Sequence, residues 1–363
     1  MTALSRADVE NTLKGYVDPY LEKDLVSAKC VKTIRTEGGR VEVEVELGFP
    51  AVGYRDALSA ALRERLAALP GVGEVAIRVE SRIIAHEVQK GLKPLPGVKN
   101  IIAVASGKGG VGKSTTAVNL ALALNIEGAT VGLLDADIYG PSQPRMLGMH
   151  ARPESRDGKT MEPVVSYGIQ SMSIGYLIEE ETPMVWRGPM VTQALEQLLR
   201  DTRWQNLDYL VIDLPPGTGD TQLTLAQKVP VSGAIIVTTP QDIALLDARK
   251  GLKMFEKVEV PVLGIVENMS IHICSKCGHE EHVFGEGGGQ RMAAQYNVPL
   301  LGALPLDIRI REETDSGQPT VAAEPDSRIA SLYRDIARRA SARLSLQAKN
   351  YSHRFPNIVI QNT

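Results

Sequence analysis

Cysteine, basic runs and long apolar segments are scarce in this chain of 363 residues, which has three cysteines and a formal net charge of −3. Three cysteines cannot build a disulfide scaffold, so we expect a reducing, cytoplasmic setting. No apolar segment approaches the length needed to cross a bilayer, and the first residues lack the apolar centre of a secretory signal. The charge balance gives no electrostatic reason for nucleic acid binding, so we expect neither nucleic acid nor a membrane as partner.

The composition that remains is that of a globular protein, with 43% hydrophobic and 23% charged residues. The length allows one to three domains. We predict a small α+β domain over residues 1–85, a linker over 86–99, a larger α/β domain over 100–347 and a tail over 348–363. The linker prediction rests on two prolines and two glycines, and the tail carries no informative pattern.

The first domain shows the order helix, two strands, helix, strand. Periodic apolar residues predict these elements at 5–17, 24–34, 40–47, 53–68 and 75–84. The second strand alternates valine with charged residues, and the sequence EGG before it predicts a hairpin turn. The only cysteine of this domain, Cys30, falls within the first predicted strand, where we expect a small buried apolar side chain.

Residues 101–116, IIAVASGKGGVGKSTT, organise the second domain. An apolar run at 101–106 predicts a buried strand, and Ala and Leu at helical spacing predict a helix over 113–126. The residues between them fit the phosphate-binding pattern G-x-x-x-x-G-K-[ST] in its specific strand–loop–helix context. Further strands are predicted at 131–134, 209–212, 234–239, 262–266 and 300–304. The fold class is therefore α/β, a P-loop NTPase with a mainly parallel sheet flanked by helices.

We predict that the loop binds ATP through its backbone and two side chains. Glycines let successive N–H groups approach the phosphates, and the following helix directs its positive end at them. Lys113 can reach the β- and γ-phosphates, and the Ser114 hydroxyl can ligate Mg²⁺. The predicted nucleotide-binding residues of the loop are Gly107, Lys108, Gly109, Gly110, Val111, Gly112, Lys113, Ser114 and Thr115.

Aspartates follow two of the predicted strands, at the edge where a parallel sheet binds ligands. Asp135 and Asp137 end the strand at 131–134, and Asp213 ends the strand at 209–212. Asp213 suits a carboxylate that holds Mg²⁺, usually through water. The N–H of Gly217, four residues later, can contact the γ-phosphate, and we expect Asp135 to orient the loop or the metal shell.

The loop contains a second lysine, Lys108, directly after its first glycine. This pattern resembles the deviant Walker A loop of the ParA/MinD/nitrogenase-iron-protein class. The resemblance implies that Lys108 reaches the nucleotide of the other subunit and that Asp137 positions the attacking water. It also implies that DLPPG, from 213, is a switch segment. The residues expected to surround the adenine by the same resemblance are Asn268, Pro305 and Asp307. The predicted catalytic residues are Lys113, Lys108, Asp137 and Asp213.

Cys274 and Cys277 form a C-x-x-C motif, whose two thiolates can hold one metal from a turn. The surrounding residues lack the helix start that a thioredoxin-like redox pair needs. A structural zinc site in one chain would need two more ligands, for which His272, His279 and His282 are near in sequence. Alternatively, two chains could each supply two cysteines to one bridging [4Fe–4S] cluster, because four thiolates are the usual complement.

The sequences MVWRGPM at 184–190, LDYLVIDLPPGTGD at 207–220, and ENMS followed by C-x-x-C and FGEGGG resemble the Mrp/ApbC iron–sulfur cluster carrier family. Through DP at 18–19 and LPGVGEVAIRV at 69–79, the first domain resembles the MIP18-like assembly domain, although the cysteine often found after its second strand is absent here. The resemblance implies a homodimer that holds a labile cluster on Cys274 and Cys277 of both chains. It implies transfer to apo iron–sulfur proteins, contact with the cluster assembly machinery, and slow, Mg²⁺-dependent ATP hydrolysis. For Trp186 and Arg187 we expect packing of the switch loops.

Three other functions remain open from the sequence. A ParA/MinD-like positioning ATPase would need DNA or membrane affinity, and a P-loop ATPase with structural zinc would use the histidines. An electron-transfer ATPase similar to the nitrogenase iron protein would use widely separated single cysteines. An amphipathic helix predicted at 326–347 could anchor to a membrane as in the MinD branch, but its Ala-rich apolar face favours packing on the sheet.

Overall fold

A computed structural model of the protein describes residues 4–178, 188–274 and 276–349. The small first domain contains two antiparallel two-residue strands and a three-stranded sheet in the order β3-β4-β5. Its elements are α1 (Arg6–Lys14), β1 (Val17–Asp18), β2 (Lys23–Asp24), β3 (Val31–Glu37), β4 (Arg40–Leu47), α2 (Arg55–Ala67) and β5 (Glu74–Ser81). The leucines at 58, 62 and 66 of α2 are fully buried against the sheet, as the helical spacing predicts.

The larger domain alternates strands with helices, as a parallel sheet with crossovers requires. Its elements are β6 (Val98–Ser106), α3 (Lys113–Ile126), β7 (Val131–Asp135), α4 (Gln143–Met146), β8 (Val164–Ser166), β9 (Ile169–Ser173), α5 (Gly188–Asp201), β10 (Leu207–Asp213), α6 (Asp220–Lys228), β11 (Gly233–Thr238), α7 (Asp242–Lys257), β12 (Val262–Glu267), β13 (His272–Ile273), β14 (Glu280–Glu281), α8 (Gly288–Tyr296), β15 (Leu300–Ala303), α9 (Ile308–Asp315), α10 (Thr320–Ala323) and α11 (Arg328–Ser345).

Eight of these strands form one sheet in the order β15-β12-β11-β6-β10-β7-β9-β8. The strands are parallel except β8, which pairs antiparallel with β9. β6 lies at the centre and is buried on both faces, which is why its sequence is a continuous apolar run. The predicted parallel α/β fold is thereby confirmed, and the P-loop follows the central strand.

Helices cover both faces of the sheet. α3 begins at Lys113 and ends at Ile126, as predicted, and most of its side chains are buried between the sheet and α11. In α11, Ile329, Ile336 and Leu344 are buried in the same core. The prediction that this helix packs onto the sheet is therefore confirmed. No helix of the described ranges is long and apolar enough to cross a membrane.

Two predictions about the first domain are wrong in detail. The predicted strand at 24–34 is a turn followed by β3, because the Asp24 carboxylate accepts a hydrogen bond from the N–H of Ser27 at 2.8 Å. Cys30 therefore precedes β3, although it is buried as expected. The predicted linker at 86–99 stays a prediction; its two ends are packed, since His86 is buried beside Asn100 and β6 begins at Val98.

A buried ion-pair cluster joins the two domains. Glu127, directly after α3, is fully buried and its Oε1 accepts hydrogen bonds from Arg334 at 2.7 Å and Arg338 at 2.6 Å. Its Oε2 accepts one from the N–H of Gly53 in the first domain at 3.0 Å. Burial alone would raise the pKa of Glu127, but its bonds to Arg338 and Arg334 bring the pKa below its ordinary value.

Candidate functional site

The backbone of the P-loop is shaped by glycine at three positions. Gly110 and Gly112 both have φ of 79°, a left-handed conformation that side chains disfavour. At Gly107 a Cβ atom would meet the carbonyl carbon of Asp247 in α7 at 2.1 Å, so only glycine fits there. Gly112 also caps the start of α3, so the loop and the helix form the anion cradle that the sequence predicts.

Lys113 lies in the centre of the site and connects its acidic residues. Its side chain is only 5% exposed, and its ammonium donates a hydrogen bond to Asp213. The same group lies 3.7 Å from the carboxylate of Asp137 and 3.2 Å from the hydroxyl of Ser114. Three residues predicted to act on phosphate and Mg²⁺ are therefore gathered around one cation.

Gln143 is a site residue that the sequence analysis missed. Its amide nitrogen donates hydrogen bonds to Asp213 Oδ2 at 2.8 Å and to the carbonyl of Ser114 at 3.1 Å. Its side-chain oxygen is buried and has no hydrogen-bond partner within the described ranges. The only indication of its role in the sequence is that Gln143 directly follows DADIYGPS. This indication is weak, because a glutamine that follows a turn has no distinctive spacing.

Asp135 organises the segment between β7 and α4. Its fully buried carboxylate accepts hydrogen bonds from the N–H groups of Asp137, Ser142 and Gln143 at 3.0 to 3.1 Å, and from the Ser173 hydroxyl at 2.9 Å. Burial, together with the nearby charge of Asp213, raises its pKa to about 7. These bonds fit the expected loop-orienting role.

Asp137 and Lys108 are less buried than the residues at the centre of the site. Burial raises the pKa of Asp137, although Lys113 acts in the opposite direction. Lys108 is half-buried at the tip of the loop, and in the described part of the chain it forms no ion pair. The contact that holds Lys108 is made by its backbone carbonyl rather than its ammonium. This carbonyl accepts a hydrogen bond from the hydroxyl of Ser106 at 2.9 Å. The ammonium therefore remains available for a phosphate or another chain.

The other residues predicted to contact the nucleotide form hydrogen bonds within the protein. The N–H of Gly217 donates to the carbonyl of Ser106 at 3.0 Å, and its contact with a γ-phosphate stays a prediction. The side-chain amide of Asn268 donates to the carbonyl of Val111 in the P-loop at 2.9 Å. Asp307 caps α9 and binds Arg309, which lowers the pKa of Asp307. Base recognition by Asn268, Pro305 and Asp307 stays a prediction.

The residues at this site fit a nucleotide with a divalent cation. The left-handed glycines form a cradle of N–H groups, and Lys113 provides a buried cation behind it. The hydroxyl of Ser114 and the carboxylate of Asp213 both touch Lys113, and hydroxyl and carboxylate oxygens are the ligands that Mg²⁺ prefers. The unpartnered oxygen of Gln143 lies in the same cluster and can bind a metal-bound water.

Cys274 and Cys277 lie at the tip of a short hairpin. The strands β13 and β14 pair antiparallel, and the N–H of Gly278 donates to the carbonyl of Cys274 at 2.8 Å. Backbone N–H groups of Lys276 and Cys277 donate to the Cys274 sulfur and lower its pKa. Cys277 is exposed and Cys274 is partly exposed. A turn that stabilises a thiolate and presents it outward suits metal binding.

The histidines near this hairpin do not complete a metal site in one chain. His272 Nδ1 lies 3.1 Å from the carbonyl of Leu306, and His282 Nδ1 lies 2.9 Å from the carbonyl of Ser270, so both rings bind the backbone. Among the described residues, which include both cysteines and all these histidines, no three potential ligands are grouped to hold a metal. This arrangement does not support the one-chain zinc site.

The hairpin and the P-loop are connected through the end of β12. Glu267 is its last residue, is 5% exposed, and accepts a hydrogen bond from the N–H of Gly289 at the start of α8. The next residue, Asn268, binds the P-loop carbonyl described above. The segment 269–287, which carries the two cysteines, therefore begins after Asn268 and ends before α8. Both of these are fastened at the end of β12. Trp186 and Arg187 lie outside the described residues.

Family comparisons agree with both domains. The sequence profile of the ParA-type NUBPL iron-transfer P-loop NTPases matches residues 97–341. A profile described as iron–sulfur cluster assembly protein matches residues 6–77, which is the domain predicted to be MIP18-like. The larger match covers well over half of the chain, so it establishes the family of the chain.

Individual relatives cover between 76% and 95% of the chain. An iron–sulfur cluster carrier protein of Escherichia coli strain K12 is 51% identical over 345 residues, covering 95% of this chain and 94% of that protein. A protein of the same description from Pseudomonas fragi is 59% identical over 278 residues, covering 76% and 97%. The mouse iron–sulfur cluster transfer protein NUBPL is 49% identical over 305 residues, covering 82% and 96%.

A solved structure shares the larger domain. The nucleotide-binding protein of Archaeoglobus fulgidus, in complex with ADP, superposes with a TM-score of 0.57 at 36% identity. The superposition covers 65% of this chain and 93% of that one. The likeness supports the P-loop NTPase fold of the larger domain.

Proposed function

The chain belongs to the family of NUBPL-type iron-transfer P-loop NTPases, and we propose that it carries iron–sulfur clusters to apo-proteins with binding and hydrolysis of ATP. The observation that supports this most directly is that one domain contains both a buried phosphate-binding cluster around Lys113 and an exposed two-cysteine hairpin. Relatives that are 49–59% identical bear the description of cluster carrier or transfer protein.

The residues around Lys113 would perform the phosphate chemistry. Lys113 would exchange its contact with Asp213 for the β- and γ-phosphates, and Ser114 and Asp213 would hold Mg²⁺. The metal would supply charge neutralisation on the phosphates when bound. Asp137, 3.7 Å from the Lys113 ammonium, would position the attacking water. Asp135 would keep Asp137 and Gln143 in place through their N–H groups.

A homodimer completes both sites in this proposal. Lys108 forms no ion pair in the described part of its own chain and would extend to the γ-phosphate of the partner subunit. The hairpins of two chains would together supply four thiolates to one [4Fe–4S] cluster, which is the cargo. Backbone N–H groups lower the pKa of Cys274, which favours the thiolate that a cluster needs as ligand.

The two sites would be coupled through the end of β12. Hydrolysis would relax the segments 137–142 and 213–220, which change their contacts when the γ-phosphate leaves. Asn268 and Glu267 are adjacent and fasten the P-loop and the start of α8 to the same strand end. A movement of the P-loop would therefore reach the hairpin between these anchors and alter how tightly the cluster is held.

Cluster transfer from the reconstituted protein to an apo-enzyme that needs a [4Fe–4S] cluster tests the function. We expect activity of the acceptor to recover with the unmodified protein and with Cys30→Ala, which removes a cysteine far from the hairpin. Recovery should be absent with Cys274→Ala/Cys277→Ala. If this double variant still delivers a full cluster, the proposed cargo site is wrong.

A further inference from the structure

A cleft of about 1170 Å³ opens between the two domains, at the end of the large sheet opposite the P-loop. Val98 and Leu207, the first residues of β6 and β10, lie in its wall. The P-loop instead follows the last residue of β6. Because a strand rises about 3.3 Å per residue, β6 places the two sites roughly 25 Å apart.

The cleft is strongly basic although the chain as a whole is slightly acidic. One carboxylate, that of Glu46, faces six basic side chains in the lining: Lys23, Lys29, Lys32, Arg82, Lys99 and Lys349. Glu46 lies 3.2 Å from Lys32 and 3.7 Å from Arg82, and Lys99 pairs with Asp208 at 2.7 Å. Lys29 and Lys349 form no ion pair within the described ranges, so their charges are uncompensated.

The wall between these cations is apolar. Its accessible apolar residues are Ile84, which is half-buried, and Leu346, which is 37% exposed. The nearly or fully buried Leu95, Val98 and Leu207 also line the cleft. No aromatic side chain is among the described residues of the lining, and single-stranded nucleic acids depend on aromatic side chains for stacking. A volume above the usual range for small ligands, with an apolar wall and a basic rim, favours a peptide over a nucleotide or a free anion.

We propose that this cleft binds an acidic segment of a partner protein, with its carboxylates against Lys29 and Lys349 and its apolar side chains against Ile84 and Leu346. Charge complementarity supports this occupant. The last residues of the chain, 350–363, follow Lys349 directly but contain no Asp or Glu, so they do not match the rim. The cleft would thus hold a partner away from the nucleotide site, on the side where the first domain meets the second.

Fluorescence anisotropy of a short labelled peptide of glutamates and leucines tests the proposal on the full-length protein. We expect saturable binding that weakens with salt, and weaker binding when the leucines of the peptide are replaced by glycine. The variant Lys29→Glu/Lys349→Glu should bind the peptide about tenfold more weakly or worse. The matched control Arg63→Glu/Lys159→Glu changes the net charge equally at exposed positions outside the cleft and should bind normally.

Each alternative occupant gives a different result. Equal peptide affinity for the cleft variant and the control would overturn the proposal, as would the absence of saturable binding. A labelled oligothymidine that binds as tightly as the peptide and is lost in the cleft variant would make the cleft a nucleic acid site. Displacement of the peptide by millimolar inorganic phosphate would make it a small-anion site.

Discussion

The nucleotide site and the cysteine hairpin are anchored on the same sheet edge but are built in opposite ways. Lys113, Asp135 and Asp213 are 5% exposed or less and are held by residues from several elements. The cysteines lie between two strands of two residues each, and Cys277 is exposed. One chain therefore supplies the whole buried part of the phosphate site, whereas it supplies two of the four thiolates that a cluster ordinarily needs.

The largest expected effect is that removal of the hairpin thiols abolishes cluster binding and leaves the nucleotide site unchanged. We expect Cys274→Ala/Cys277→Ala to lose all bound iron while its affinity for ATP and its melting temperature stay unchanged, because the hairpin tip has few packing contacts. Iron content, ATP titration and thermal melting measure this. A large fall in melting temperature would show that the hairpin belongs to the folded core.

Substitution of either P-loop lysine should slow ATP hydrolysis, but only one of the two substitutions should also lower the free energy of unfolding. Lys113→Ala and Lys108→Ala should each reduce ATP hydrolysis by roughly 10²–10³-fold, because each removes charge stabilisation of the transferring phosphate. Only Lys113→Ala should also lower the free energy of unfolding, by about 3 kcal/mol, since it leaves the buried Asp213 without its cation. Steady-state kinetics and urea denaturation without nucleotide measure both quantities.

Equal destabilisation by the two substitutions would contradict this distinction. It would mean that Lys108 has a partner in its own chain after all, so that the site is not divided between subunits. Normal hydrolysis by Lys108→Ala at high protein concentration would likewise remove the argument for a partner-subunit role.

Glu127 provides a buried ion pair that is far from both sites. Glu127→Gln should lower the free energy of unfolding by about 3 kcal/mol, because Arg338 and Arg334 lose a buried carboxylate. The pKa of Glu127 is lowered from 4.5, so its contribution is complete above that pH and is lost as the pH falls through the lowered value. Urea denaturation from pH 7 down to pH 3 measures this.

A constant difference between Glu127→Gln and the unmodified protein across that pH range would exclude the ionised carboxylate as the source. Asp335→Asn is the matched control, because Asp335 also contacts Arg338 but is 49% exposed. It should change the free energy of unfolding by less than about 1 kcal/mol.

The smallest expected difference is the one between the alkylation rates of the hairpin cysteines and of Cys30. Iodoacetamide should modify Cys274 and Cys277 well before Cys30, because burial raises the pKa of Cys30 to about 11 and covers its sulfur. Peptide mass spectrometry over a time course at pH 8 measures the order. Early modification of Cys30 would show that the first domain opens more readily than its buried core suggests.

The sequence predicts the P-loop region accurately because several local signals agree there. The bounds of α3 and the burial of β6 follow from spacing and apolar content alone. The turn before β3 was missed because an alternating pattern does not reveal that the Asp24 carboxylate binds a backbone N–H. The antiparallel pair β8 and β9 was also missed, since its strands are only three and five residues long.

Side-chain roles that depend on distant residues could not be predicted. The contact between Gln143 and Asp213 joins residues 70 positions apart, and nothing in the local sequence of either indicates it. The bond from the Asn268 amide to the carbonyl of Val111 also joins distant residues, and contact of Asn268 with adenine stays a prediction. The pairing of Gly217 with Ser106 likewise arises from the packing of neighbouring strands.

Metal and sulfide analysis of anaerobically reconstituted protein, combined with its mass in solution, tests the central claim most directly. The account predicts about four irons and four sulfides per dimer, with a visible absorbance band, and neither in Cys274→Ala/Cys277→Ala. A monomer with about one zinc, no iron uptake and no visible absorbance would contradict it, because the hairpin would then be a structural site completed within one chain.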